Sequence, residues 1–94
     1  MRRPAARGRK DATQATIRDA LIRAGCYVLD LSAVGGGCPD LLVYHLRVGL
    51  RLVEVKTRAG KLKPSQVAFA RRWPVSVART PEDALRAMGF EVTG

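Results

Sequence analysis

The chain has 94 residues, room for one domain with a modest core, and 47% of them are apolar but only 5% aromatic. Seventeen Lys and Arg against eight Asp and Glu leave a net charge of +9, which points to a polyanionic partner, nucleic acid ahead of an anionic membrane. No apolar run reaches the ~18 residues of a membrane span, no apolar leader reads as a secretory signal, and no basic amphipathic helix with large apolar residues supports membrane-surface binding. Cys26 and Cys38 lack a C-x-x-C pairing or a histidine cluster, so they read as reduced thiols of an intracellular protein.

Residues 1–10 hold Arg2, Arg3, Arg7, Arg9 and Lys10 with no acid and almost nothing apolar. They read as a disordered basic arm that closes on phosphates, leaving residues 11–94 as the single folded domain. A helix follows, with Asp11 and Gln14 at the N-cap and N3 spacing of a capping box. Ile17, Ala20, Leu21 and Ala24 form its buried stripe, Arg18 and Arg23 fall off that stripe, and Gly25 stops it. Tyr27 to Ser32 alternates as a strand. Gly35-Gly36-Gly37 then permits positive φ and a close backbone approach, Pro39 fixes the way into Asp40, and Asp40 to Tyr44 reads as a second strand.

Leu52-Val53-Glu54-Val55-Lys56 reads as a third strand, covered on both faces by its aliphatic residues yet carrying two charges. Burying a carboxylate and an ammonium costs several kcal/mol each unless they pair or bind a metal. Side chains alternate along a strand, so Glu54 and Lys56 share a face. A turn at Arg47-Val48-Gly49 places Asp40 across from Glu54 on that face, whereas a slip of one residue would separate them. Two facing carboxylates repel unless a cation lies between them, and an oxygen-rich pair suits Mg²⁺ or Mn²⁺. His45, at the far end of this hairpin, reads as a solvated or capping histidine.

Thr57 to Lys63 is a polar loop with Arg58, Lys61 and Lys63, and Pro64 opens a helix to Arg72 with Val67 and Ala70 available to pack inward. Trp73 reads as a core anchor. Pro74 to Ala78 is a fourth strand. Thr80-Pro81-Glu82-Asp83 starts a last helix, whose inner stripe is Ala84, Leu85 and Met88 and whose end is Gly89.

This order of helix, three strands, helix, strand and helix resembles the PD-(D/E)XK nucleases, and within them the virus-type replication-repair nuclease (VRR-NUC) family. Gly37-Cys38-Pro39-Asp40, Glu54-Val55-Lys56-Thr57, Gly60-Lys61-Leu62 and Pro64-Ser65-Gln66 leading to Phe69 carry the resemblance, which spans Asp11 to Gly89. It implies an α/β, restriction-endonuclease-like core with a mixed four-stranded sheet flanked by helices. It also implies an endonuclease that hydrolyses DNA with Mg²⁺ or Mn²⁺. Asp40 and Glu54 would hold the metal with the carbonyl of Val55, Lys56 would orient the attacking water, and Gln66 would contact water or phosphate. The family pattern has an acid in the first helix; here Asp11 is shorter and Gln14 uncharged, which puts a second metal in doubt. Arg7, Arg9, Lys10, Arg58, Lys61 and Lys63 are the expected DNA contacts. Similarity to small stand-alone members implies a homodimer that cuts Holliday junctions or other branched DNA, of phage or prophage origin and acting in the cytoplasm. The competing reading is a basic module that binds branched or duplex DNA without cutting it. A ribonucleoprotein subunit finds no aromatic RNA-binding motif in its favour.

Overall fold

Ile17, Ala20 and Leu21 recur at helical spacing and are buried, which fixes the face that the first helix turns inward. The computed structural model describes residues 5–93, with side chains described from Gly8 onward. Its elements are α1 (Ala5–Arg23), β1 (Tyr27–Asp30), β2 (Leu41–His45), β3 (Gly49–Val55), α2 (Pro64–Arg72), β4 (Val75–Ala78) and α3 (Pro81–Ala87). The four strands form one sheet in the order β1-β2-β3-β4, antiparallel except for the parallel pair β3–β4. The α/β class, the element order and the mixed sheet are as expected from the sequence.

One face of the sheet makes the core. Leu41, Val43, Val53, Val55 and Ala78 point toward Ile17 and Leu21 of α1 and Ala84 and Met88 of α3, all of them buried. Thr80 caps α3 by accepting from the Asp83 N–H (3.1 Å), and the Asp83 carboxylate accepts from the Arg79 N–H (2.9 Å). In the β2–β3 hairpin Leu41 faces Val53 and His45 faces Gly49, the register that sets Asp40 beside Glu54. His45 does cap the turn, its Nδ1 accepting from the Arg47 N–H (3.2 Å). Both cysteines are free, and burial raises the Cys26 thiol pKa.

Several expectations are corrected. Over residues 5–10 the basic segment is helical rather than a disordered arm, α1 running from Ala5, and residues 1–4 lie outside the described residues. Ala, Arg and Lys are strong helix formers, and Lys10 gains a tertiary contact described below. Asp11 and Gln14 therefore sit inside the helix rather than at its N-cap and N3 positions. Arg2 and Arg3, and the side chain of Arg7, lie outside the described residues.

Strand β1 ends at Asp30, two residues early, because its carboxylate turns back to accept from the Ser32 N–H (2.8 Å) and hydroxyl. Strand β3 is covered on both faces only at its last residues: Leu50 is 60% exposed, while Glu54 is 2% exposed. Helix α2 buries no residue, so Val67 and Ala70 do not pack into the core. Trp73 is no core anchor either. It is 56% exposed and stacks on Phe69, the ring centroids 6.0 Å apart.

Candidate active site

Asp40, Glu54 and Lys56 are the buried charged residues of the described chain. Each is placed by backbone. The Asp40 Oδ2 accepts from the Val55 N–H across the hairpin (2.9 Å), and the Leu31 N–H donates to the Asp40 carbonyl (2.7 Å). Glu54 and Lys56 point to the sheet face opposite the core, one repeat apart, and the Lys56 N–H donates to the Ala78 carbonyl (3.0 Å), continuing the parallel ladder. The Lys56 Nζ lies 3.5 Å from the Glu54 Oε2.

Gln66 joins these residues from α2. Its Nε2 donates to the Glu54 Oε2 (3.0 Å), and its Oε1 accepts from the Lys63 N–H (2.8 Å). Both ends of the amide are thus engaged by protein, and Gln66 holds Glu54 in place. Its position depends on Gly37, whose φ is +83° and where any Cβ would run into the carbonyl of Ser65 at the start of α2. The glycine run thus lets α2 close on the carboxylates.

From α1, Lys10 reaches the two carboxylates. Its Nζ lies 3.2 Å from the Asp40 Oδ2 and 3.6 Å from the Glu54 Oε2, between the two carboxylates. Gln14 is instead turned to Asp30, donating to its Oδ2 (3.1 Å), and Asp11 is exposed. Asp30 is held below the usual carboxylate range, chiefly by its hydrogen bonds from Ser32. Glu54 is pushed the other way. Burial raises its pKa most, the charge of Asp40 raises it further, and Lys10 and Lys56 oppose the shift.

Hard oxygen donors suit a divalent cation, and two observations match the pair to one. The Glu54 Oε1 is buried with no hydrogen-bond partner, and an ammonium already stands where the two carboxylates meet. Among the described residues no group of three or more His, Cys, Asp or Glu side chains converges on a metal position, so the side-chain donors here are two.

A groove of about 720 Å³ opens onto the pair, lined by Lys10, Gln14, Arg18, Asp30, Asp40 and Lys63 among others. Of the expected DNA contacts, Lys63 is on this groove, Arg9, Arg58 and Lys61 are exposed, and Lys10 is drawn into the site. Arg18 was not expected there; its place outside the buried stripe of α1 was the available signal. Arg79 was missed as well. Its Nη1 donates to the carbonyls of Thr57 (2.7 Å) and Gly60 (2.6 Å), clamping the loop that follows Lys56. Nothing in the sequence pairs an arginine before α3 with that loop. A second cleft, at the opposite end of the sheet between His45, Phe90 and Met88, brings no cluster of charges together.

Comparison with known proteins gives the fold a name. The sequence matches no family model and no curated protein. A solved structure described as a VRR_NUC domain superposes with a TM-score of 0.64 at 24% identity, over 86% of this chain and 95% of that one. This chain has the fold of a VRR_NUC domain.

Proposed function

We propose that the chain is a Mg²⁺- or Mn²⁺-dependent endonuclease that hydrolyses DNA phosphodiester bonds. The observation that carries this reading is the buried pair Asp40 and Glu54, held around one cationic position with Lys56 alongside. The nuclease class that the VRR_NUC name denotes supports it.

Asp40 and Glu54 would hold the cation together with the carbonyl of Val55. A divalent ion bound there lowers the pKa of water and polarises phosphoryl oxygens. Lys56 has its ammonium within reach of Glu54 and places a positive charge where a phosphate oxygen or the attacking water would lie. Gln66 keeps the Glu54 carboxylate aimed. Water oxygen then bonds to phosphorus and gives up one proton to solvent, one bridging P–O bond breaks, and the departing oxygen takes a proton from solvent. Arg7, Arg9, Arg18, Arg58, Lys61 and Lys63 supply salt-dependent backbone contacts that read shape more than sequence.

The substrate is branched DNA, a four-way junction above all, cut by a homodimer in the cytoplasm of a bacterial or phage-infected cell. Free cysteines suit that compartment. A bare apolar sheet face supports the dimer: Tyr27, Leu29 and Leu50 are more than half exposed on the face that carries Glu54 and Lys56 at its other end. A two-fold partner seated there would fix two sites on two strands. Lys10 standing on both carboxylates favours one alternative, a module that binds branched or duplex DNA without cutting it.

The test presents a four-way junction, a splayed fork, a linear duplex and a single strand to the protein with Mg²⁺, Mn²⁺ or EDTA, with its mass measured by light scattering. Paired metal-dependent nicks in the junction by a two-chain species are expected. Tight binding without scission in either metal would select the binding module instead.

A further inference from the structure

Lys10 enters the site from α1 and remains partly open to solvent, its side chain 32% exposed against 9% for Asp40, 8% for Lys56 and 2% for Glu54. Its Nζ bridges Asp40 and Glu54 at 3.2 and 3.6 Å. We propose that Lys10 is an internal counter-ion that occupies the cation position of the free protein and must leave before a divalent metal binds. This inference rests on the metal reading of Asp40 and Glu54 and adds to it what fills the site beforehand.

Charge balance argues for it. Two carboxylates face two ammoniums, those of Lys10 and Lys56, so the metal-free cluster is neutral. Buried charges persist when paired, which gives the apo protein a reason to draw Lys10 in. Adding a divalent ion with Lys10 in place would leave two surplus positive charges in a largely buried pocket; expelling Lys10 leaves one.

Geometry argues the same way. Two ammoniums approach the same oxygen of Glu54, at 3.5 and 3.6 Å, while the other oxygen has no partner. A lysine on a helix reaches this pair from one side only. A bare divalent ion is small, and Asp40 and Glu54, with its unpartnered Oε1, are the side chains that would hold it.

Lys10 has somewhere to go. It forms part of the groove wall with Arg18 and Lys63, so its four-carbon stem can swing the ammonium onto a phosphate lying there. Metal and DNA then help each other, because the DNA backbone stabilises the displaced ammonium and the metal releases it. Linkage makes that help reciprocal.

The experiment measures Mn²⁺ binding without DNA, by the electron paramagnetic resonance signal of free Mn²⁺, for wild type, Lys10→Met, Lys10→Glu and Asp40→Asn. Lys10→Met is expected to bind about tenfold more tightly than wild type, within the usual range of site-to-site coupling. Lys10→Glu, which adds a carboxylate, should bind more tightly still. Equal or weaker Mn²⁺ binding by both Lys10 variants, folded by circular dichroism, would overturn the proposal and leave the metal site standing. No binding that Asp40→Asn abolishes, in any of the proteins, would overturn the metal reading and this inference with it. A measurement on the wild type covers the case in which the variants do not fold. The Lys10 side-chain ammonium resonance should move toward solvent-exposed values on saturation with Mg²⁺, and an unchanged resonance would also overturn the proposal.

Discussion

Gln66 and Glu54 are joined across the site by one hydrogen bond, from the Gln66 Nε2 to the Glu54 Oε2 at 3.0 Å. The other end of the same amide accepts from the Lys63 N–H, so the start of α2 and the carboxylate are fixed by a single side chain. Replacing Gln66 by Leu leaves both buried oxygens of Glu54 without a neutral donor. Leaving a buried acceptor unsatisfied costs about 1–3 kcal/mol. Urea unfolding in EDTA should show a loss of that order, and Mn²⁺ should restore much of it by binding the freed carboxylate. A Gln66→Leu protein as stable as wild type would remove Gln66 from its positioning role.

Gly37 and Gly8 should respond in opposite directions to alanine. At Gly37 the backbone has positive φ and a Cβ would meet the Ser65 carbonyl, so Gly37→Ala must push α2 away from Glu54. The expected cost is about 2 kcal/mol or more, together with weaker metal binding, since Gln66 moves with α2. Gly8 lies within α1 and a Cβ there meets nothing within 4 Å. Gly8→Ala should stabilise by about 0.5–1 kcal/mol. Thermal unfolding of the two variants checks both signs at once.

Much of this arrangement is legible in the sequence. The turn at Arg47-Val48-Gly49 fixes the hairpin register, and the register fixes Asp40 beside Glu54. Helices α2 and α3 announce themselves by proline at the first position and, for α3, a Thr80 cap. What was not legible depended on distant partners. Residues 5–10 look like a solvated arm because their reason to be ordered, the carboxylates that Lys10 meets, lies about 30 to 44 residues further along. Trp73 looks like core by type, yet it follows α2, a helix that buries no residue, and stays exposed with it. The Arg79 clamp has no local signature at all, because its acceptors are backbone carbonyls and those carry no residue identity.

Arg79 offers a test that separates loop order from metal binding. Hydrogen bonds to a charged donor contribute about 1.5–3 kcal/mol when buried, and this side chain is half-buried, so the lower end applies. Arg79→Met should raise amide hydrogen exchange across residues 57–60 and weaken DNA binding through Arg58 and Lys61. It should leave Mn²⁺ affinity nearly unchanged. Unaltered exchange in that loop would show that the clamp is not what orders it.

The raised Glu54 pKa fixes the sign of a pH effect. A buried carboxyl that keeps its proton longer than the unfolded chain does stabilises the folded protein below the ordinary glutamate range, about pH 4.3, and loses that contribution as pH rises through the raised value. In EDTA, wild type should therefore lose stability relative to Glu54→Gln as pH climbs from that range upward. Urea midpoints of the two proteins across a pH series give the comparison. A difference that stays constant with pH, or grows in favour of wild type, would contradict the assignment of burial as the dominant cause.

The central claim is that this cluster hydrolyses DNA, and Lys56 is its most direct probe. The measurement is the single-turnover rate of strand scission in Mn²⁺ by wild type and Lys56→Met, both shown folded and both shown to bind the same four-way junction. If Lys56 orients water and neutralises the phosphate, the variant should retain binding while its rate falls by about 10²-fold or more. Equal rates in the two proteins would place the chemistry elsewhere and contradict the account.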